Sequence, residues 1–232
     1  MQDWKPPHHG MDAPSFVRFL AGLLQPEDEL FFKVYKPSRG IADRFGVEPA
    51  RAFFGMTADE LWRASGCDIA KMVRHIVGGA IADTENLDGK LAREIAWPSS
   101  LFVQSVGADE VVAVCSKVRA AGRDLHWPML DFRAEIPAER ESAERLLEIL
   151  CKSLKAIGAL GGVVMESGNS YHYYGYEPVE PNVWRRFMQR SLLLEPFIDV
   201  RYIAHRLESG HAALRVTAAR DKPHVPHVVA WV

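Results

Sequence analysis

The sequence predicts a mixed fold of α/β or α+β order, and three observations carry that expectation. After Pro98 the chain alternates between short apolar runs of strand character and stretches of helical period. Val163-Val164-Met165 and Tyr171 to Tyr174 flank a Ser/Gly/Asn turn, the pattern of an antiparallel hairpin. No segment repeats at a period of about 20–50 residues, which excludes a solenoid or propeller. At 232 residues, 48% apolar and 25% charged, the composition is globular and excludes a disordered or collagenous chain. That length fits one large domain or a lobed single unit.

Taken in order, Pro14 to Leu24 is predicted to be a helix. Phe16, Phe19, Leu20, Leu23 and Leu24 share a face, and Asp12 stands as N-cap before the proline. Glu29 to Tyr35 is a β-like aromatic run closed by Pro37 and Gly40. Pro49 to Ile95 reads as helical, with Leu61, Trp62, Met72, Val73 and Ile76 directed inward and Gly78-Gly79 and Asp88-Gly89 as breaks. Leu101 to Val106 is a predicted strand, Ala108 to Ala121 a helix ended by Gly122, and Leu125 to Phe132 a second strand. Pro137 opens a helix whose Ala143, Leu146, Leu147, Leu150, Leu154 and Ile157 form one stripe, ended by Gly158 and Gly161-Gly162. Val183 to Leu193 is a helix, and Ala212 to Val216 and Val228 to Val232 are strands.

Cys67, Cys115 and Cys151 are odd in number, widely spaced and without a CxxC pair, so reduced thiols are expected. The first residues lack a basic segment followed by an apolar one, and no apolar run approaches the roughly 18 residues of a membrane helix. A cytoplasmic protein with no membrane partner is the expectation.

Three segments carry candidate chemistry. In Trp127-Pro128-Met129-Leu130-Asp131-Phe132-Arg133 an acid follows an apolar run, where a buried charge needs a partner or a cation. An ordinary turn-capping aspartate is the competing reading. In the hairpin, Glu166-Ser167-Gly168-Asn169-Ser170-Tyr171-His172 offers hydroxyls and backbone amides as an anion cradle, with His172 pointing into it. A hairpin with an aromatic face and a satisfied core histidine competes with that. In Pro196-Phe197-Ile198-Asp199-Val200-Arg201 an acid again follows apolar residues, with Arg206, Arg215, Arg220 and Lys222 downstream. Together they form a set: two strand-end carboxylates, Asp131 and Asp199, for divalent cations, a cradle for a triphosphate, and cations against phosphate charge. His8-His9, and His224 with His227, are short pairs without a zinc-helix context. Tyr171, Tyr173, Tyr174 and Tyr176 alternate between faces, so some belong to the core and others are open to a stacking role.

The order acid-ended strand, helix, Ser-x-His hairpin, helix and hydrophobic-Asp resembles the archaeo-eukaryotic primase superfamily of primases and primase-polymerases. The resemblance covers about Leu101 to Val232 and implies an RRM-like catalytic sheet with packed helices. Residues 99–232 would be the catalytic region, and 1–98 an N-terminal, mainly helical α/β cap. Ser170-Tyr171-His172 matches the family's SxH motif and Ile198-Asp199 its hD motif, with Leu214-Arg215 similar to the arginine that follows.

The activity implied is metal-dependent transfer of nucleotides from a nucleoside triphosphate to a 3′-hydroxyl on a template, with single-stranded DNA as the expected template and partner proteins compatible with it. Asp131, Asp199 and His172 would be catalytic, and Asp131, Asp199 and Glu135 would hold Mg²⁺ or Mn²⁺. Ser167, Ser170, His172, Arg215 and Lys222 would bind the nucleotide, and Arg201 and Arg206 the nucleic acid.

One departure matters. The family's first motif is Asp-x-Asp or Asp-x-Glu, whereas this chain has Asp131-Phe132-Arg133. A cation there repels a second metal. Glu135 would share the face of Asp131 by period two if the strand continues. Arg133 otherwise contacts phosphate directly, which gives one rival reading, a catalytically degenerate module that binds nucleotide or nucleic acid. A second rival is a metal-dependent phosphohydrolase that uses the same acids and His172. The net charge of −2 argues against a nucleic-acid binder only on average. Residues 182–232 hold eight Lys/Arg against four acids, a local balance of +4, while the remainder carries −6.

Overall fold

The computed structural model describes residues 6–25, 27–35, 63, 92–96, 111–218 and 223–232. The chain divides into two compact units, Met1–Tyr35 with Arg93–Val232, and Lys36–Ala92. Apart from Ala92 at the boundary, the elements below belong to the first. Mixed helices and antiparallel sheets make it an α+β fold, as the sequence predicts.

Helix α1 (Ala13–Gly22) starts where its cap dictates: the Asp12 carboxylate accepts from the Ser15 amide at 2.8 Å. Strands β1 (Glu29–Tyr35), β2 (Ala92–Ala96), β3 (Val111–Ala120) and β4 (Arg123–His126) build the first sheet in the order β2-β1-β3-β4. A further strand, β8 (Ala213–Arg215), pairs with β3 beside β4. The second sheet has the order β5-β7-β6-β9, from β5 (Met129–Asp131), β6 (Gly162–Glu166), β7 (Tyr171–Gly175) and β9 (His227–Trp231). All its pairs are antiparallel. Helices α2 (Arg140–Ala156), α3 (Pro181–Ser191) and α4 (Val200–Ser209) complete the unit.

Several expectations are corrected. Residues 111–120 form strand β3 instead of the helix predicted over Ala108–Ala121. Val111 to Ser116 are buried without alternation, so both faces of the strand are covered and the pattern loses its period. Four valines in ten residues favour the extended chain locally. Gly122 ends the element as a hairpin turn, with Ala121 and Gly122 both at positive φ between the paired Ala120 and Arg123. The strand predicted over Leu125–Phe132 divides at Trp127-Pro128. There the chain leaves β3 for β7, and the proline carbonyl accepts from Gly175 at 2.8 Å. Residues 92–96 are a strand where the helical pattern of Pro49–Ile95 was extended; the rest of that pattern, apart from Arg63, and the strand predicted over Leu101–Val106 lie outside the described residues.

Asp199 does not end a strand. It caps α4, a helix absent from the prediction, which closes at Gly210 in the left-handed conformation.

The two faces of the second sheet are packed differently. Tyr173 turns toward α3, its ring 6.0 Å from Phe187, and donates its hydroxyl to the Gly161 carbonyl at 2.9 Å. Tyr174 turns the other way, edge-on to Phe16 of α1 at 5.6 Å and against β8. Gly162 is needed at its position, because a Cβ there would lie 2.2 Å from the Tyr174 carbonyl. Residues 10–13 extend the free edge of β9: Gly10 donates to Val228 at 2.8 Å, and Val228 to Met11 at 2.9 Å.

A second polar contact lies inside the core. His126 is 5% exposed, stacks on Trp184 at 4.8 Å and has Nδ1 3.4 Å from the Ser116 hydroxyl. Burial lowers its pKa from 6.5 to about 4, helped by His211 and Lys117 and opposed by Asp124. The unfolded chain therefore takes up this proton first. Stability should fall as pH drops from about 6.5 to about 4, by on the order of 3 kcal/mol from this residue, and level off below. Urea unfolding across that window should be less pH-dependent in a His126→Gln variant.

Candidate active site

Two pairings bring the predicted residues together. Strand β5 ends at Asp131, which pairs with His172 of β7. On its other side Phe132 bridges to Ile198, and the Arg133 amide donates to the Phe197 carbonyl at 2.8 Å. Asp131 and Asp199 are the residues next to this bridge, one on each segment, so Asp131 stands between its register partner His172 and the segment that leads into Asp199.

These three residues differ in environment. The Asp131 side chain is 41% exposed, whereas that of His172 is 4% exposed, with Nε2 3.5 Å from Asp131 Oδ1. His172 Nδ1 lies 3.4 Å from the Tyr174 hydroxyl. Asp199 is partly buried, and its Oδ1 accepts from the amides of Arg201 at 2.9 Å and Tyr202 at 3.4 Å. One carboxylate thus reaches the solvent edge, while the other is tethered by a helix start.

The hairpin turn is fastened from inside. Ser167 donates its amide and its hydroxyl to the Ser170 carbonyl, at 2.8 and 3.1 Å, and the Ser170 hydroxyl donates to the Phe132 carbonyl beside Asp131. The Ser167 hydroxyl therefore closes the turn on itself, and the Ser170 hydroxyl ties it to the residue after β5. Arg215 is 8% exposed and also faces backbone. Its guanidinium donates to Ser167 O at 2.7 Å, His224 O at 3.0 Å and Thr217 O. In doing so it links β8 of the first sheet to the turn of the second.

The other predicted residues lie around this centre. Glu135 is exposed beyond the end of β5, so strand alternation does not govern its placement. Arg133 is exposed. Arg201 begins α4, and Arg206 lies one turn on, its guanidinium 5.1 Å from the Tyr202 ring. Lys222 is outside the described residues. Among the described residues no three His, Cys, Asp or Glu side chains are grouped to hold a metal ion.

Two residues at the site escaped sequence reasoning. Tyr174 shares the face of His172 by strand alternation, a readable signal, but its hydroxyl contacts are not. Tyr202 stands three residues after Asp199. Its hydroxyl and Arg206 Nε are buried with no hydrogen-bond partner among the described residues. Burial pushes the Tyr202 hydroxyl up, with the Arg206 cation opposing and the Asp131 charge adding.

A family model described as AEP-like, archaeo-eukaryotic primase 1D-like, matches residues 98–229. The chain belongs to this family. As an archaeo-eukaryotic primase-like protein it is, at family level, a primase-like nucleotidyltransferase of a generally metal-dependent class that binds nucleotide and nucleic acid. No curated protein and no solved structure gives a significant match. No helix among the described residues of this primase-like chain is long and apolar enough to cross a membrane.

The Arg215 bridge generates a stability prediction. Removing it takes the guanidinium donor from the buried Ser167 carbonyl, at about 1–3 kcal/mol, and from two partly buried carbonyls at less. Arg215→Ala should cost about 2–5 kcal/mol in urea unfolding. Arg215→Lys should recover only part of that, because an ammonium does not reproduce the planar fork.

Proposed function

We propose that this chain is a primase-polymerase-like nucleotidyltransferase that moves nucleotides from a nucleoside triphosphate to a 3′-hydroxyl on a nucleic-acid template. The observation that carries the reading is the pairing of Asp131 with His172 beside the Phe132–Ile198 bridge, which draws the segments of the SxH and hD motifs to the acid of the first motif in a chain of this family.

The residues present fit a hard divalent cation. Asp131 offers a half-exposed carboxylate, and Asp199 retains an oxygen that does not cap α4. Mg²⁺ and Mn²⁺ are commonly held by one or two carboxylates and completed by substrate phosphates and water. Asp131 and Asp199 would hold the ion, with Glu135 the nearest further acid in sequence. When bound, it supplies Lewis-acid chemistry, easing deprotonation of the 3′-hydroxyl and offsetting charge on the leaving pyrophosphate.

The protein's own groups do the positioning. His172 and the amides of Gly168 and Asn169 at the tip of the turn face the triphosphate, and Ser167 and Ser170 shape that turn. Arg215 acts by bracing it, and Lys222 adds charge for the nucleotide. Arg201, in the first turn of α4, and Arg206, in its last, face the nucleic acid, single-stranded DNA being the template most in keeping with the family.

A second reading rests on Arg133, which replaces the second acid of the first motif. With two acids and a cation at the centre, the site suits nucleotide or nucleic-acid binding with reduced catalysis.

Asp199→Asn separates charge from structure, because asparagine caps a helix as well as aspartate. Metal-dependent incorporation of labelled nucleotide should drop about a hundredfold or more, with the unfolding midpoint little changed. Incorporation at the wild-type level would remove Asp199 from the mechanism. Arg133→Asp should raise incorporation several-fold if the degenerate reading holds, and leave it unchanged if the site is already complete.

A further inference from the structure

Two arginines of this unit are held in opposite ways. Arg215 spends its donors on three backbone carbonyls. Arg206, in the last turn of α4, donates to no acceptor and pairs with no acid among the described residues. Its Nε is buried without a partner, whereas the two terminal nitrogens are not buried, so the Nη1/Nη2 edge of the guanidinium faces solvent. Tyr202, four residues earlier on the same side of the helix, accounts for this setting. The guanidinium carbon lies 5.1 Å over the Tyr202 ring, within reach of a cation–π contact. A guanidinium grips an oxyanion in bidentate fashion by an edge that holds two N–H groups. Here the edge that includes Nε is closed, and the edge formed by Nη1 and Nη2 is open. The Tyr202 hydroxyl, also buried without a partner, adds nothing to the contact, which the ring alone makes.

We propose that Tyr202 is a positioning residue, whose ring holds Arg206 flat so that the Nη1/Nη2 edge receives one backbone phosphate of a bound single strand. This rests on the proposed function, which sets single-stranded DNA against α4, and adds the atoms and the mode of contact. Two parallel N–H donors match two phosphate oxygens, and the ring fixes the plane in which they lie. A lysine at 206 would keep the charge and lose the plane. A buried N–H without an acceptor is costly; here that cost accompanies a cation whose open edge is aimed outward. A phosphate carries no base identity, so the contact sets the position of the strand and reads no sequence.

Fluorescence anisotropy of a labelled oligo-dT strand with the full chain, without metal or nucleotide, tests the contact. Arg206→Ala should weaken binding about ten- to a hundredfold. It should also lower the log–log salt slope by about 0.7, the share of one phosphate on a single strand. Arg206→Lys should keep the slope and lose affinity. Tyr202→Leu and Tyr202→Met, which lose the ring and keep bulk, should each weaken binding about three- to tenfold at an unfolding midpoint close to that of the wild type. Tyr202→Phe, which keeps the ring, should rescue it. In the Arg206→Ala background, Tyr202→Leu should cause no further loss. Additive losses in that cycle would overturn the positioning role, as would a Tyr202→Phe variant as weak as Tyr202→Leu. Wild-type affinity in Arg206→Lys would overturn the bidentate edge. Wild-type affinity in Arg206→Ala would overturn the contact itself, and so would a loss confined to nucleoside triphosphate binding. Failure of the proposed function has a separate signature: no binding of the strand by the wild type, which would take this inference with it.

Discussion

A single buried guanidinium sets the terms for the site. Arg215 stands in β8, within the first sheet, and its donors reach backbone carbonyls at Ser167, Thr217 and His224. Carbonyl partners make the bond set independent of any other side chain, and a planar fork engages several at once. The hairpin turn is therefore positioned from the neighbouring sheet as well as from its own strands. Ser170 completes the hold by tying the turn to the residue after Asp131. Turn, arginine and strand end form one mechanical unit.

Around that unit the charges are asymmetric. Asp131 opens toward solvent, Asp199 is engaged by the first amides of α4, and His172 is enclosed. Tyr174 lies beneath His172 and touches both the histidine and the backbone of Arg215. One hydroxyl thus stands between the imidazole and the strand that carries the bracing arginine. Arg133, two residues after Asp131, is exposed, and its amide is held by the Phe197 carbonyl.

What the sequence made legible was local. The hairpin of β6 and β7 was readable because turn residues and alternation lie within one short stretch, and the same holds for Asp12 and α1. The site's main residues were legible through family motifs, not through periodicity. Strand β3 was misread because an element covered on both faces has no polar side to mark its period. Helix α4 was missed because Asp199 was taken for the end of a strand, although Asp199 and Gly210 together carry the start and stop signals of a helix. The bracing by Arg215 had no sequence signal, since its acceptors are backbone atoms from distant segments. Nor did the strand that would have carried Glu135 inward, because β5 stops at Asp131.

The pairing of residues 10–13 with β9 has a consequence for assembly. These segments come from opposite ends of the described chain, and the second sheet gains its outermost pairing only when they meet. Closing so long a loop costs entropy before any contact repays it. The hairpin carrying His172 closes on its own and forms early by comparison. On the ribosome, the Ser167–Ser170 turn would therefore exist as a local hairpin well before the chain that completes its sheet has emerged. Between those two moments the β6 edge of that hairpin stands open, and this is the interval in which a folding factor would have most to protect.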